Sequence, residues 1–420
     1  MSNPSGPGER PVASDSEGLM RPLHGVRVIE LAHIMAGPAC GLHLADMGAD
    51  VVKVERLPHG DGTRGFVPPE QDGESAAFMM MNRGKRGIAL DLRSEGGRTA
   101  ARRLIASADV LIENFRVGTM EKMGLGWETL HALNPRLVYC QITGFGRTGP
   151  LADHGGFDLI AQGYSGLMSI TGEGADSLPV KIGAPVTDIT AGILGALGVV
   201  SALFMRERTG LGQRVDTSLF EAGVTHTYWQ SAIALATGRS PGPLGTAHPL
   251  SAPYQTFPTA DGWINVGASN EGTWTRLTEA VHAPELREDP RFRTNGDRMA
   301  HLDELVSVLV PTFLERTTDR WLEWLEDAGV PAGPVASVGE MLDHPQTRAR
   351  DMVVEVEHTR LGGVRSIGNP VKFSTGGGHS EPRRGAPMFG EHTRSVLLEA
   401  GYSDDEVDAL IRHGEALERT

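Results

Sequence analysis

One carboxylate stands apart by its surroundings. Asp188 precedes seventeen uncharged residues (189–205), and Arg206, Glu207 and Arg208 close the run. Ile189, Ile193, Leu197, Val200 and Leu203 or Phe204 recur at helical spacing, with Gly192, Gly195, Ala196 and Gly198 between them. That pattern predicts a buried helix whose small residues let neighbouring backbones come close. At its first turn a carboxylate can accept free backbone N–H groups and is favoured by the helix dipole. Asp188 is therefore a cap or, held ionised beside a dry helix, a group fit for catalysis.

The elements that must position it are legible in the first half. VRVIEL (26–31) and DVVKVE (50–55) suit buried parallel strands, joined by a helix around Gly37 to Met47. Further strands are expected at 87–92, 110–113 and 137–142, with helices at 95–106 and 120–133. Such alternation means βαβ units with right-handed crossovers, a Rossmann-like α/β domain. Gly144, Gly146 and Gly149 spell a dinucleotide fingerprint, but Pro150 follows and no long helix opens there. This argues against a nicotinamide dehydrogenase. Around 241–257 the chain changes character, then offers a strand (262–268) and helices (301–315, 319–328). The expected division is a tail at 1–20, a large domain at 21–225, a small domain at 226–335 and a return segment at 336–420.

Composition narrows the class. A net charge of −14 argues against general nucleic-acid binding. Cys40 and Cys140 cannot make a disulfide framework, and a cytoplasmic enzyme without a metal site is expected. At the short limit for a membrane span and rich in glycine, 189–205 reads as a core helix, so no membrane partner is expected.

Several segments then combine. LAHIMAGP (31–38), LADMGADVVKVE (44–55), NRGKRGIALDL (82–92), ADVLIENFRVGTMEKMGLGWETL (108–130), NPRLVYCQITGFGRTGP (134–150), PVTDITAG (185–192), RTGLGQRVDTSLFEA (208–222) and GEHTRSVL (390–397) follow in order. Together they resemble the class III CoA-transferase family from about residue 22 to the C-terminal region. The resemblance implies an α/β fold whose Rossmann-like large domain is built from both ends of the chain. It also implies a smaller inserted α/β domain and an interlocked homodimer. Asp188 matches the family's nucleophile. Coenzyme A, as acyl-CoA, is then a substrate and not a tightly bound cofactor, and a small carboxylic acid is the second partner.

Coenzyme A carries phosphates at one end and a thin arm at the other, so it needs cations and a narrow, largely apolar path. Arg56, Arg64, Lys85, Arg86, Arg93 and Lys122 lie at strand ends or following loops, where each is either a phosphate contact or a solvated charge. By the resemblance, His33 and Ala36 line the nucleotide or pantetheine. Arg56 lies near the adenine and phosphates, Leu90 and Arg93 form a later contact pair, and Asn114 and Phe115 flank the arm. Lys122 replaces an arginine, which keeps charge but loses the bidentate fork.

Two other readings are weighed against transfer. The similar α-methylacyl-CoA racemases pair the aspartate with a histidine in Gly-His-Asp. The matching Gly156-Phe157-Asp158 cannot move a proton at Phe157, and His154 is out of register. A non-catalytic CoA-binding protein is the third. AHPLSAPYQ (247–255) resembles the segment of transferases that use succinyl-CoA with dicarboxylates, with His248 and Tyr254 as candidate acceptor contacts.

Overall fold

The computed structural model describes residues 21–374 and 383–419. The expected tail at 1–20 falls outside them. The chain divides into two compact units: one of residues 1–165, 184–225 and 345–420, the other of 166–183 and 226–344. The second unit is thus wider than the expected 226–335, and it takes in a short excursion that precedes the Asp188 helix.

The first unit is built on seven strands: β1 (Arg27–Glu30), β2 (Asp50–Arg56), β3 (Arg86–Leu90), β4 (Val110–Glu113), β5 (Val138–Thr143), β6 (Arg214–Ser218) and β7 (Ala416–Leu417). Their order is β7-β3-β2-β1-β4-β5-β6, with every pairing parallel except β7 on β3. The order 3-2-1-4-5-6 is that of a doubly wound nucleotide-binding sheet. Alternate residues serve opposite faces. Val28, Val110, Ile112, Val138, Cys140 and Ile142 pack beneath the helices Ala36–Asp46 and Val186–Thr209. Ile29, Val54, Ile88, Leu111 and Tyr139 pack against the far side, where Leu104, Leu130, Val396 and Leu410 come from four other helices. Burial on both faces explains why these strands read as nearly unbroken apolar runs.

Two expectations change. The 120–133 helix is split into Thr119–Lys122 and Trp127–Leu133, because Gly124 turns the chain at φ +68°. The Val186–Thr209 helix is not buried all round. Its packed side is the small one, with Ala191, Gly192, Gly195, Ala196, Val199 and Ala202 against the core. Ile189, Ile193 and Leu197, expected inside, are exposed, Leu197 at 61%, and of the alternatives Leu203 and Phe204 it is Leu203 that is buried while Phe204 faces out. By length and composition this helix could cross a membrane.

The second unit has a three-stranded antiparallel sheet of Tyr254–Pro258, Trp263–Gly267 and Ala332–Pro334. Its core gathers Phe257, Trp274, Phe313 and Trp321, and Asn270 starts the Glu271–Ala280 helix with a capping box.

Candidate active site

In an open α/β sheet the strand order reverses at one place, and ligands bind at the carboxyl ends of the strands beside it. Here that place lies between β1 and β4, and the residues just beyond both strands are tied together. Asn114 accepts the His33 N–H at 2.9 Å and donates its Nδ2 to the His33 carbonyl at 2.8 Å. The Phe115 ring stands 5.5 Å from the imidazole of His33. Burial is the largest influence on His33 and holds its pKa below the usual value, against the pull of Asp61.

The chain then turns into the Ala36–Asp46 helix, which no side chain of its own caps. The Ala36 N–H faces the Asp188 carboxylate instead and favours its ionised form. Asp188 lies in the first turn of the Val186–Thr209 helix, so the starts of two helices meet at this group. Gly192 permits the approach: a Cβ there would sit 2.6 Å from Ala39 Cβ and 2.7 Å from the Ala36 carbonyl. Asp188 is partly buried, and its pKa rises to about 6, first through desolvation and then through the neighbouring charge of Asp158. The Ala36 hydrogen bond opposes that rise. A carboxylate of this kind is ionised near neutral pH yet poorly solvated, which suits it to attack a carbonyl carbon or take a proton.

Asp158 does the capping that the sequence assigned to Asp188. It begins the Asp158–Tyr164 helix, accepts the Thr187 N–H at 3.0 Å and the Thr187 hydroxyl at 2.8 Å, and takes a third bond from Gln162 Nε2 at 2.8 Å. Phe157, at the racemase histidine position, is 75% exposed, and His154 is exposed as well. After β5 the next helix opens only at Asp158, so Gly144 to Gly149 forms no dinucleotide turn.

The six candidate cations part company. Lys85 is fully buried against Glu30, Arg64 is paired with Glu55 at 2.7 Å, and Arg86 pairs with Asp50 and Glu399. Arg93 is exposed but lies 2.9 Å from Asp91. Arg56, at the end of β2, and Lys122 are exposed and, among the described residues, have no carboxylate within ion-pairing distance. Arg116 shares that condition and directly follows Asn114 and Phe115, a position that sequence reasoning passed over. Leu90 lies entirely within the core and its carbonyl accepts the Leu57 N–H at 3.2 Å, so neither its side chain nor its backbone is open to a ligand here. In the second unit His248 stacks on Tyr254 with ring centroids 5.2 Å apart, and its Nδ1 accepts the Leu250 N–H.

Two further acids went unnoticed in the sequence. Glu113, at the end of β4, is pushed up to about 8 by burial, although it accepts the Phe115 N–H at 2.8 Å. Asp61 accepts the Ile34 N–H and is held well below the carboxylate range; burial opposes this, and the Lys53 ammonium beside it prevails. Glu113 closes β4, the one available signal, whereas Asp61 lies in the loop beyond β2 and carries none. No group of His, Cys, Asp and Glu suited to a metal occurs among the described residues.

Known proteins share this architecture. The profile of CoA-transferase family III matches residues 23–393. A succinate–glutarate CoA-transferase from Agrobacterium fabrum is 43% identical over 387 residues, covering 90% of this chain and 95% of that protein. An acetyl-CoA:oxalate CoA-transferase from Acetobacter aceti is 40% identical over 383 residues, with the same two coverages of 90% and 95%. The crystal structure of a CAIB/BAIF family protein from Brucella suis aligns with a TM-score of 0.80 at 41% identity, covering 91% of this chain and all of that one.

Proposed function

The chain belongs to CoA-transferase family III, and from that premise we propose that it moves coenzyme A between carboxylic acids through Asp188. The supporting observation is the Asp188 environment: a desolvated carboxylate at the strand-order reversal, met by a single backbone N–H. An Asp188 oxygen attacks the donor thioester carbon, a C–O bond replaces the C–S bond, and CoA thiolate leaves a mixed anhydride. The thiolate then attacks the Asp188 carbonyl, releasing the donor as its carboxylate and leaving an aspartyl-CoA thioester. The acceptor carboxylate attacks that thioester and expels the thiolate, which takes the acceptor acyl group and frees Asp188. Both intermediates keep the activation of the thioester, and no external oxidant or nucleotide is needed.

Arg56 and Lys122, exposed and without an ion-pair partner among the described residues, would meet the phosphates, while His33, Ala36, Asn114 and Phe115 would border the pantetheine arm. Arg93 would have to exchange Asp91 for phosphate. Incubation with acyl-CoA followed by hydroxylamine should mark the peptide bearing Asp188. Marking of a peptide carrying Asp158 or Asp216 instead would refute the assignment.

For substrates, we propose succinyl-CoA as donor and a C4 to C6 dicarboxylate as acceptor. The support is the AHPLSAPYQ segment and the succinate–glutarate relative. The oxalate-using relative at 40% identity keeps a second reading in view. A panel of acyl-CoA donors and acids with mass detection separates the two, and a preference for oxalate would sink the first. The racemase alternative has no proton carrier at Phe157, so deuterium exchange at an α-carbon should not occur. The outward row Ile189, Ile193, Leu197 and Phe204 suits burial by a second copy in a homodimer. A stable, active monomer in sedimentation at nanomolar concentration would contradict that.

A further inference from the structure

In the turn between β1 and the Ala36 helix, four successive backbone groups, from the Ala32 carbonyl to the Ile34 N–H, are held by side chains. Lys53 Nζ donates to the Ala32 carbonyl at 2.9 Å. Asn114 holds both polar groups of the His33 backbone, and Asp61 accepts the Ile34 N–H at 3.1 and 3.3 Å on its two oxygens. Ile34 sits at φ +68°. A β-branched side chain resists that left-handed conformation, which persists only where its surroundings impose it.

Asp61 is itself imposed upon. Lys53 Nζ lies 2.8 Å from it and 3.0 Å from Glu30, and Glu30 lies 2.8 Å from Lys85. All four are buried. A buried ion cluster is a poor source of stability, because desolvation offsets the attraction. Its use is better sought in the geometry that it fixes. Two residues beyond Ile34 comes Ala36, whose carbonyl lies 2.7 Å from where a Cβ at Gly192 of the Asp188 helix would sit and whose N–H favours the ionised Asp188.

We propose that Asp61 is a positioning residue for the transfer reaction: anchored by Lys53, it holds Ile34 in the left-handed turn that aims the Ala36 N–H at Asp188. This rests on Asp188 being the reacting carboxylate. When thiolate attacks the acylated Asp188, its carbonyl oxygen gains negative charge, and a donor already aimed there stabilises it without rearrangement. A released turn would leave that charge poorly met.

Asp61→Asn keeps the shape and one acceptor but removes the charge that Lys53 grips. The expected result is a fall in kcat of about tenfold or more, with KM for acyl-CoA within roughly threefold of wild type. The acid limb of kcat/KM should move to higher pH as Asp188 loses its donor, with the charge of Asp158 still beside it. His33, also near Asp61, would move its own titration the opposite way, so the direction identifies the group. Adding Ile34→Gly, which accepts positive φ freely, should recover several-fold of the lost kcat. A kcat within about twofold of wild type, a limb that stays or moves down, or failure of glycine to rescue would overturn the proposal. If Asp61→Asn does not fold, Asp61→Glu is read by the same criteria. Asp188→Asn separates the two ideas. Activity in that variant would break the nucleophile reading, whereas its loss beside a normal Asp61→Asn would break the positioning role alone.

Discussion

Around Asp158 three donors converge from Thr187 and Gln162, whereas Asp188, in the first turn of the helix that Asp158 caps, is faced by the Ala36 N–H, which opposes its raised pKa without offsetting its burial. The two acids are neighbours in space and identical in chemistry. Three donors occupy most of the acceptor capacity of Asp158 and fix it in place as a cap. A carboxylate that is buried with a single donor stays high in energy when ionised. The fold thus satisfies the helix start with one aspartate and leaves the other available. The comparison teaches that position at a helix terminus does not define a role; the number of donors does.

Asp188→Asn is the strongest way to break that contrast. It should lower kcat on the order of 10³-fold or more, with CoA affinity nearly retained, since a nucleophile acts only in the chemical step. The same change should stabilise the protein at neutral pH. The folded pKa of Asp188, about 6, lies above the usual 3.8, so its ionisation favours unfolding. The penalty is absent below the unfolded value and grows as pH rises through 6, reaching roughly 1–3 kcal/mol. Thermal melts should therefore show the variant above wild type at pH 7.5, and the two should converge near pH 4. For the same reason wild-type kcat/KM should fall as pH drops through about 6.

Gly192→Ala attacks the donor side. Its methyl would press on Ala39 and the Ala36 carbonyl, and overpacking of this kind costs about 1–3 kcal/mol. A melting temperature and kcat both equal to wild type would show that the close approach of the two helices is dispensable. Asp158→Asn should do least. The cap keeps an acceptor for Thr187, so the stability loss should stay near or below ~1 kcal/mol. Losing its charge beside Asp188 should move the acid limb of kcat/KM to lower pH. A limb that moves upward would mean that Asp158 assists ionisation instead of opposing it.

Much of the frame was legible because it rests on local pattern. The strands β1, β2, β4 and β5 announce themselves as apolar runs, and the Glu95–Ala106 helix lies where its periodicity puts it. The Val186–Thr209 helix was also foreseen, but not which side faces inward. Periodicity marks a stripe of large residues; it cannot tell that backbone contact through glycine and alanine outweighs them at this packing site. The pairing of Lys85 with Glu30 and of Arg86 with Asp50 and Glu399 was hidden for a related reason, since those partners are distant in sequence; Arg64 meets the nearby Glu55 through a turn that the letters do not specify. Asp61 and the left-handed Ile34 left no trace, because nothing in the letters of LAHIMAGP demands positive φ. The motif around Asp188 marked the start of its helix, while Ala36, whose N–H faces it, comes from a helix about 150 residues earlier.

The last strand of the sheet has a consequence in time. β7 pairs with β3 through Ala416 and Leu90, so more than 300 residues of chain separate partners that lie side by side. During synthesis the outer edge of β3 waits for that partner on the order of tens of seconds at ordinary elongation rates. Throughout that interval an apolar strand presents unpaired N–H and carbonyl groups. The inserted second unit, with a core of its own, can complete itself meanwhile. Folding of the first unit is then gated by emergence of its final residues. A nascent chain stalled before Ala416 should bind holdase chaperones and be cleaved readily near β3, and release of the last segment should end both.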